Sequence, residues 1–290
     1  MRFATIDTPS GEQAAVLVDG DRWVPVGVVD ADLSGDLLVL IRKGWSREQL
    51  HSLSIDASQV AERFTVPVDQ ARYRPPYRLP HKIVGVGLNY QRHAADLGET
   101  APDEPASFLK GTHTIVGATD LVTLPDGETV TAEAELGVVM AQEARDVEEA
   151  RALDNVFGFC AILDQTAVDI LGRNPRFLTR AKNFPTFFSF GPEVVTVDEF
   201  LEAKPLGQIR VTTNVDGTEV TNFVASMTHS PVDLICFFSR TMPWFPGDIL
   251  STGTPGALTI QDGSTATASI EGLMSLVNPI GSSAPRRGQE

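Results

Sequence analysis

An α+β fold built on a mixed sheet is the class this sequence predicts, and three observations predict it. Short apolar segments of strand length dominate the second part of the chain, helical segments are few, and the two types follow no regular βαβ alternation. At 290 residues the chain is long enough for one large domain, or for a large domain with a small one. We divide it into a small N-terminal β-rich domain, residues 1–76, and a larger domain, residues 77–290.

The elements follow in order. AAVLVDGDRWVPV carries two apolar runs around Asp19-Gly20-Asp21, and an Asp-Gly pair favours a tight hairpin because Gly tolerates positive φ. DLLVLIRKGWSREQLHSL reads as helix broken at Gly44. Pro75, Pro76 and Pro80 then forbid helix and predict an extended boundary segment. KIVGVGLNY is a buried strand entering a glycine-rich turn. The polar stretch from Arg92 to Lys110 predicts a long loop with one helical turn, of the kind that forms functional lids. ETVTAEAELGVVMA reads as a strand. RDVEEARALDNVFGF reads as a helix capped by Asp146, with Glu149 at the capping-box position and Val147, Ala150, Leu153 and Phe157 on one face. FCAILD is a further buried strand. QIRVTTNVDGTEV, DILST and STATASIEGL supply shorter ones, with a helix near PVDLICFFSRTM.

Charge and composition exclude several functions. A formal net charge of −15 opposes nucleic acid and anionic membrane as partners, since both need clustered Lys and Arg. No run approaches the length of a membrane span, and no basic segment followed by an apolar core opens the chain, so the cytoplasm is the expected location. Cys160 and Cys236 stand in apolar surroundings and read as reduced core residues. No C-x-x-C pair offers a thiolate zinc site.

The residues that carry chemistry are mostly acidic. Glu133 and Glu135 lie two apart on a strand, so both carboxylates project from one face. The apolar neighbours Leu136, Val138, Val139 and Met140 argue against a surface edge, and paired carboxylates there repel unless a cation sits between them. An exposed E-x-E face is the plainer alternative. Asp164 ends the apolar run from Phe159 to Leu163, a good metal or catalytic position and equally a helix cap. Three carboxylates would suit a hard ion such as Mg²⁺, Mn²⁺ or Ca²⁺. His93 and Asp96 share a helical face at i, i+3, where a carboxylate raises imidazole basicity; a surface pair has the same spacing. Lys110 and Lys182, each near phenylalanine, can bind a carboxylate or stabilise an oxyanion, and a simply solvated lysine is the plainer alternative for each. Gly253-Thr254-Pro255-Gly256 is a tight turn that can present Thr254 and backbone N–H groups to an anion, and a plain loop is the alternative.

Taken in order, GLNYQRHAADLG, PASFLKG, AEAELGVVMAQEARDV, VFGFCAILDQTAVD, RAKNFPTFFSFGP and PGDILSTGTPG resemble the fumarylacetoacetate hydrolase family, and SIEGLMSLVNPIG fits its C-terminal strands. The resemblance implies a mixed β-roll, usually a homodimer, that takes one divalent cation and a small oxo-acid. Its implied activities are hydrolysis of acylpyruvate-type C–C bonds, decarboxylation, and tautomerisation or isomerisation. Residue by residue, it implies Glu133, Glu135 and Asp164 as metal ligands, and His93, Asp96 and Lys182 as catalytic groups. Lys110, Thr254, Gly253 and Tyr90 would contact substrate. The chain departs from the family pattern at Leu88 and Val168, where Arg is common, at Leu171, where Gln is common, and at Pro185, where Asp is usual. Either Arg173, Arg176 or Arg180 replaces the lost carboxylate anchor, or the substrate is longer and more apolar. The second is favoured, because bidentate anchors are costly to replace.

Overall fold

A computed structural model describes residues 1–96 and 98–282. Its centre is a 13-stranded mixed sheet, against which a five-stranded sheet packs. The two longest strands, Val130–Met140 and Val156–Ala167, are fully buried along their length and pair antiparallel in the middle of the large sheet. Val, Leu, Ile and Phe cover both faces of such a strand when both are packed. One side of the pair, including Leu136, Val138, Phe159 and Leu163, meets the small sheet. The other side, including Val139, Cys160 and Ile162, meets the core of the N-terminal segment. Cys160 and Cys236 are both free and buried, as their apolar surroundings predict.

The small sheet runs Thr218–Phe223, Arg210–Val215, Thr265–Ile270, Leu276–Ser282, Val122–Leu124. Parallel pairs between Ile249–Ser251 and Ile83–Gly87, and between Leu276–Ser282 and Val122–Leu124, make both sheets mixed, so the α+β class holds.

The first 76 residues extend the large sheet. Arg2–Thr8 pairs with Phe188–Thr196 on one side and with Gly11–Val18 on the other. The hairpin at Asp19-Gly20 forms with both residues at positive φ. Helices Leu37–Arg42 and Arg47–Ser58 flank Gly44, itself at positive φ, and the second carries a Ser46–Gln49 capping box. The predicted division at residue 76 falls in the segment between the short strand Tyr73–Arg74 and Ile83–Gly87.

Two sequence expectations give way to tertiary pairing. The helix expected over RDVEEARALDNVFGF is only a 3₁₀ segment, Glu149–Asn155, and Asp146 takes positive φ instead of capping it. Phe157 lies in the strand that follows, where strand pairing on both sides outweighs a weak helical period. The long loop expected from Arg92 to Lys110 is partly regular, and position 97 lies outside the described residues. Gln91–Asp96 is helical, and Ala106–Lys110 is a strand at the sheet edge, antiparallel to Ile83–Gly87.

Candidate active site

Glu133 and Asp164 are direct cross-strand partners, and Glu135 follows on the same face. One oxygen from each of the three carboxylates lies within 4.8 Å of the others, and all three residues are buried. Such a set of hard oxygen donors fits one divalent cation.

The carboxylates are held in place by hydroxyls and amides. Thr131 and Thr166 donate to Glu133 Oε1 at 3.0 and 2.6 Å. Ser251 Oγ and the Gly253 N–H donate to Glu135 Oε2 at 2.5 and 2.8 Å. These donors leave Glu133 Oε2 to Lys182, at 2.9 Å, and both oxygens of Asp164 to lysines, Oδ1 to Lys110 and Oδ2 to Lys182.

The buried cluster therefore sets two ammonium groups against three carboxylates, and its electrostatics are uneven. Burial pulls Lys110 down to about 8, with the Lys182 charge adding to this and Asp164 opposing it. Burial acts on Lys182 too, but Asp164, Glu133 and Glu135 together outweigh it and hold that ammonium above the ordinary lysine range. The two lysines share Asp164 yet shift oppositely because Lys182 faces the larger sum of negative charge. Burial and the charge of Asp164 push Glu135 up to about 8. Burial also raises Glu133, but Lys182 and the Thr166 hydroxyl overcome it and keep that carboxyl below its usual range.

His93 is buried on the short helix Gln91–Asp96. Burial lowers its pKa, Glu133 and Asp96 oppose this, and Lys182 adds to it, so the ring favours its neutral form. The expected contact with Asp96 does not form: Asp96 is exposed, and no hydrogen bond joins the two among the described residues. The helix turns His93 inward while Asp96 stays in solvent, so only its charge reaches the ring.

The remaining predicted residues fall as follows. Tyr90 is fully buried; its hydroxyl has no hydrogen-bond partner among the described residues, and burial followed by the charge of Glu135 raises its pKa. Gly253 takes φ +98°, and a Cβ there would lie 2.9 Å from Asn89 Cβ and 3.2 Å from the Val86 carbonyl. Thr254 is buried, and its hydroxyl donates to the Gly256 carbonyl at 2.9 Å within its own turn. Leu88 is a half-buried leucine at φ +55°, a conformation that a bulky side chain seldom adopts. Val168 opens the helix Val168–Arg173, and Leu171 packs against the main core. Arg173 is engaged by Glu128 at 2.7 and 3.2 Å, while Arg176 and Arg180 are exposed.

Sequence reading missed Thr131, Thr166, Ser251 and Asn89. Asn89 binds the Thr252 and His229 carbonyls at 2.8 and 2.9 Å and so ties the His93 turn to the Gly253 turn. A usable signal existed for two of them. Thr131 and Thr166 continue the two-residue period of Glu133-x-Glu135 and of Asp164, on the same faces.

A mixed-sheet α+β chain with a buried carboxylate–lysine cluster presents a site whose three carboxylates fit a divalent cation. A model of the fumarylacetoacetate (FAA) hydrolase C-terminal region matches residues 82–281, and the chain belongs to that family. It is 38% identical over 259 residues to a Burkholderia cenocepacia protein provisionally described as a hydrolase, covering 88% of this chain and 86% of that one. Among solved structures it is similar to fumarylacetoacetate hydrolase from the psychrophile Exiguobacterium antarcticum, with 25% identity and a TM-score of 0.81 over 98% of this chain and 100% of that one. It is also similar to 5-carboxymethyl-2-hydroxymuconate delta-isomerase from Mycobacterium smegmatis, with 26% identity and a TM-score of 0.76 at the same coverage.

Proposed function

We propose that this enzyme is a divalent-metal-dependent hydrolase that cleaves a C–C bond in a small 1,3-dicarbonyl oxo-acid. The observation that carries the reading is the convergence of Glu133, Glu135 and Asp164 in one buried cluster with Lys182 bonded to two of them. The carboxylates would hold the cation, with Mg²⁺ favoured and Mn²⁺ or Ca²⁺ also suited. A bound divalent cation supplies Lewis-acid polarisation of substrate oxygens and charge stabilisation for an enolate leaving group.

The chain's own residues do the rest. His93, kept neutral by burial, takes a proton from water and so generates the nucleophile. Glu133 and the exposed Asp96 stabilise the imidazolium that results, through their charge. Lys182, held charged by its carboxylates, stabilises the oxyanion that forms at the attacked carbonyl. Lys110, Tyr90 and the Gly253–Thr254 turn border the substrate in this reading. Arg173 is tied to Glu128, and Leu88 stands where an anchor is common, which supports a substrate with an apolar tail.

A second reading, an oxo-acid tautomerase or isomerase on the same residues, is favoured by the isomerase among the similar structures. Product analysis by NMR separates the two. Acylpyruvates of increasing chain length and oxaloacetate are incubated with Mg²⁺ or Mn²⁺, and again with chelator. The hydrolase reading expects pyruvate and a free acid from the acylpyruvates, only with metal, and no pyruvate from oxaloacetate above the spontaneous rate. Keto–enol exchange without cleavage would assign the second reading, and turnover indifferent to chelator would overturn both.

A further inference from the structure

Lys182 has a neighbour besides its carboxylates. The ring centroid of Phe108 lies 4.8 Å from Lys182 Nζ, and 6.0 Å from that of Lys110. Phe108 comes from the edge strand Ala106–Lys110 and stands directly across from Gly85. A Cβ on Gly85 would fall 2.2 to 2.9 Å from three atoms of that ring. The phenyl group thus occupies the space any other residue at position 85 would fill with its own side chain. Phe108 is buried, as is Lys182.

The chemistry of this arrangement is specific. Lysine carries its charge on a flexible four-carbon stem, and two of its contacts here are to carboxylates that a cation also needs. An aromatic face attracts an ammonium through its ring quadrupole, without drawing on those carboxylate oxygens. It also excludes water, so the attraction acts in a desolvated setting where it is strongest.

We propose that Phe108, seated by Gly85, is a positioning residue whose ring face fixes the Lys182 ammonium beside Glu133 and Asp164 and keeps water off it. The placement stands on geometry alone, while its catalytic consequence rests on the function proposed above. A ring that merely filled volume would do none of this, and the two roles separate when the ring keeps its shape but loses its negative face.

The test reads the Lys182 ammonium by ¹⁵N NMR in the full-length, metal-free protein, with the signal assigned by its loss in Lys182→Met. Wild type is compared with protein carrying 4-fluoro- or pentafluorophenylalanine at position 108. We expect a protected signal in wild type, hydrogen exchange faster on the order of tenfold with the pentafluoro ring, and an intermediate rate with one fluorine. Equal rates across the series would overturn the proposal, as would a wild-type signal exchanging as fast as surface lysines. Gly85→Ala should displace the ring and speed the same exchange, and an unchanged rate in the folded variant would overturn the seating role of Gly85. No substrate enters this experiment, so a failure of the hydrolase reading leaves its outcome readable, and the reverse also holds.

Discussion

The backbone N–H of Gly253 donates to Oε2 of Glu135 at 2.8 Å, across 118 residues of sequence. A turn far down the chain therefore orients a carboxylate on the central strand, and Ser251 two residues earlier donates to the same oxygen. Both donors come from the short strand Ile249–Ser251, which pairs with Val130–Met140 in the sheet, and from the turn that follows it.

Gly253→Ala should damage this arrangement directly. The residue sits at φ +98° with Asn89 Cβ 2.9 Å from the position of an added Cβ. We expect a loss of about 1–3 kcal/mol in stability, measured by urea unfolding, together with weaker Mn²⁺ binding. Unchanged values for both would show that the turn does not need its left-handed backbone.

Asp248 should prove a main support of the same strand. It is fully buried, accepts from the backbone N–H groups of Lys82 and Phe245 at 2.9 and 2.8 Å, and pairs with the Lys82 ammonium. Lys82 in turn lies 4.9 Å from the ring of Trp244. Asp248→Ala leaves that ammonium without its carboxylate and should cost about 3–5 kcal/mol in urea unfolding. A cost below about 1 kcal/mol would contradict the clamp.

Mn²⁺ affinity should depend on pH with a defined sign. Glu135 is raised to about 8 from an ordinary 4.5, so between those values the folded metal-free protein keeps a proton that the unfolded chain has released. Its stability contribution is present at low pH and is lost as pH rises through about 8. A cation needs the carboxylate, so binding below this pH displaces the proton. Affinity should rise by about tenfold per pH unit up to that point and then level. Calorimetric titrations across pH check this, and a flat profile would contradict it.

His93→Asn should separate binding from chemistry. The imidazole is not among the three carboxylates, so Mn²⁺ binding should persist while turnover falls by about 10²–10⁴-fold. Equal turnover in the two proteins would remove His93 from the mechanism.

Much of this site is legible in sequence because strand geometry has period two. Glu133 and Glu135 must share a face on any strand, and the long apolar run around them already implies burial on both sides. The pairing of Glu133 with Asp164 is not legible, because register between strands is set by long-range packing. The same limit hides Ser251 and Asn89, whose roles exist only once distant turns meet. The helix expected near Asp146 fails for a related reason. Its helical spacing is real, but Phe157 belongs to a strand paired on both sides. Phe108 illustrates the converse: a glycine in one strand and an aromatic in another reveal nothing until they face each other.

Calorimetry of Mn²⁺ with wild type and with Glu135→Ala tests whether Glu133, Glu135 and Asp164 hold the cation. One site per wild-type chain is expected, with loss of measurable binding in the variant, whose fold is checked by circular dichroism. Binding by the variant with wild-type affinity would show that Glu133, Glu135 and Asp164 are not the cation site.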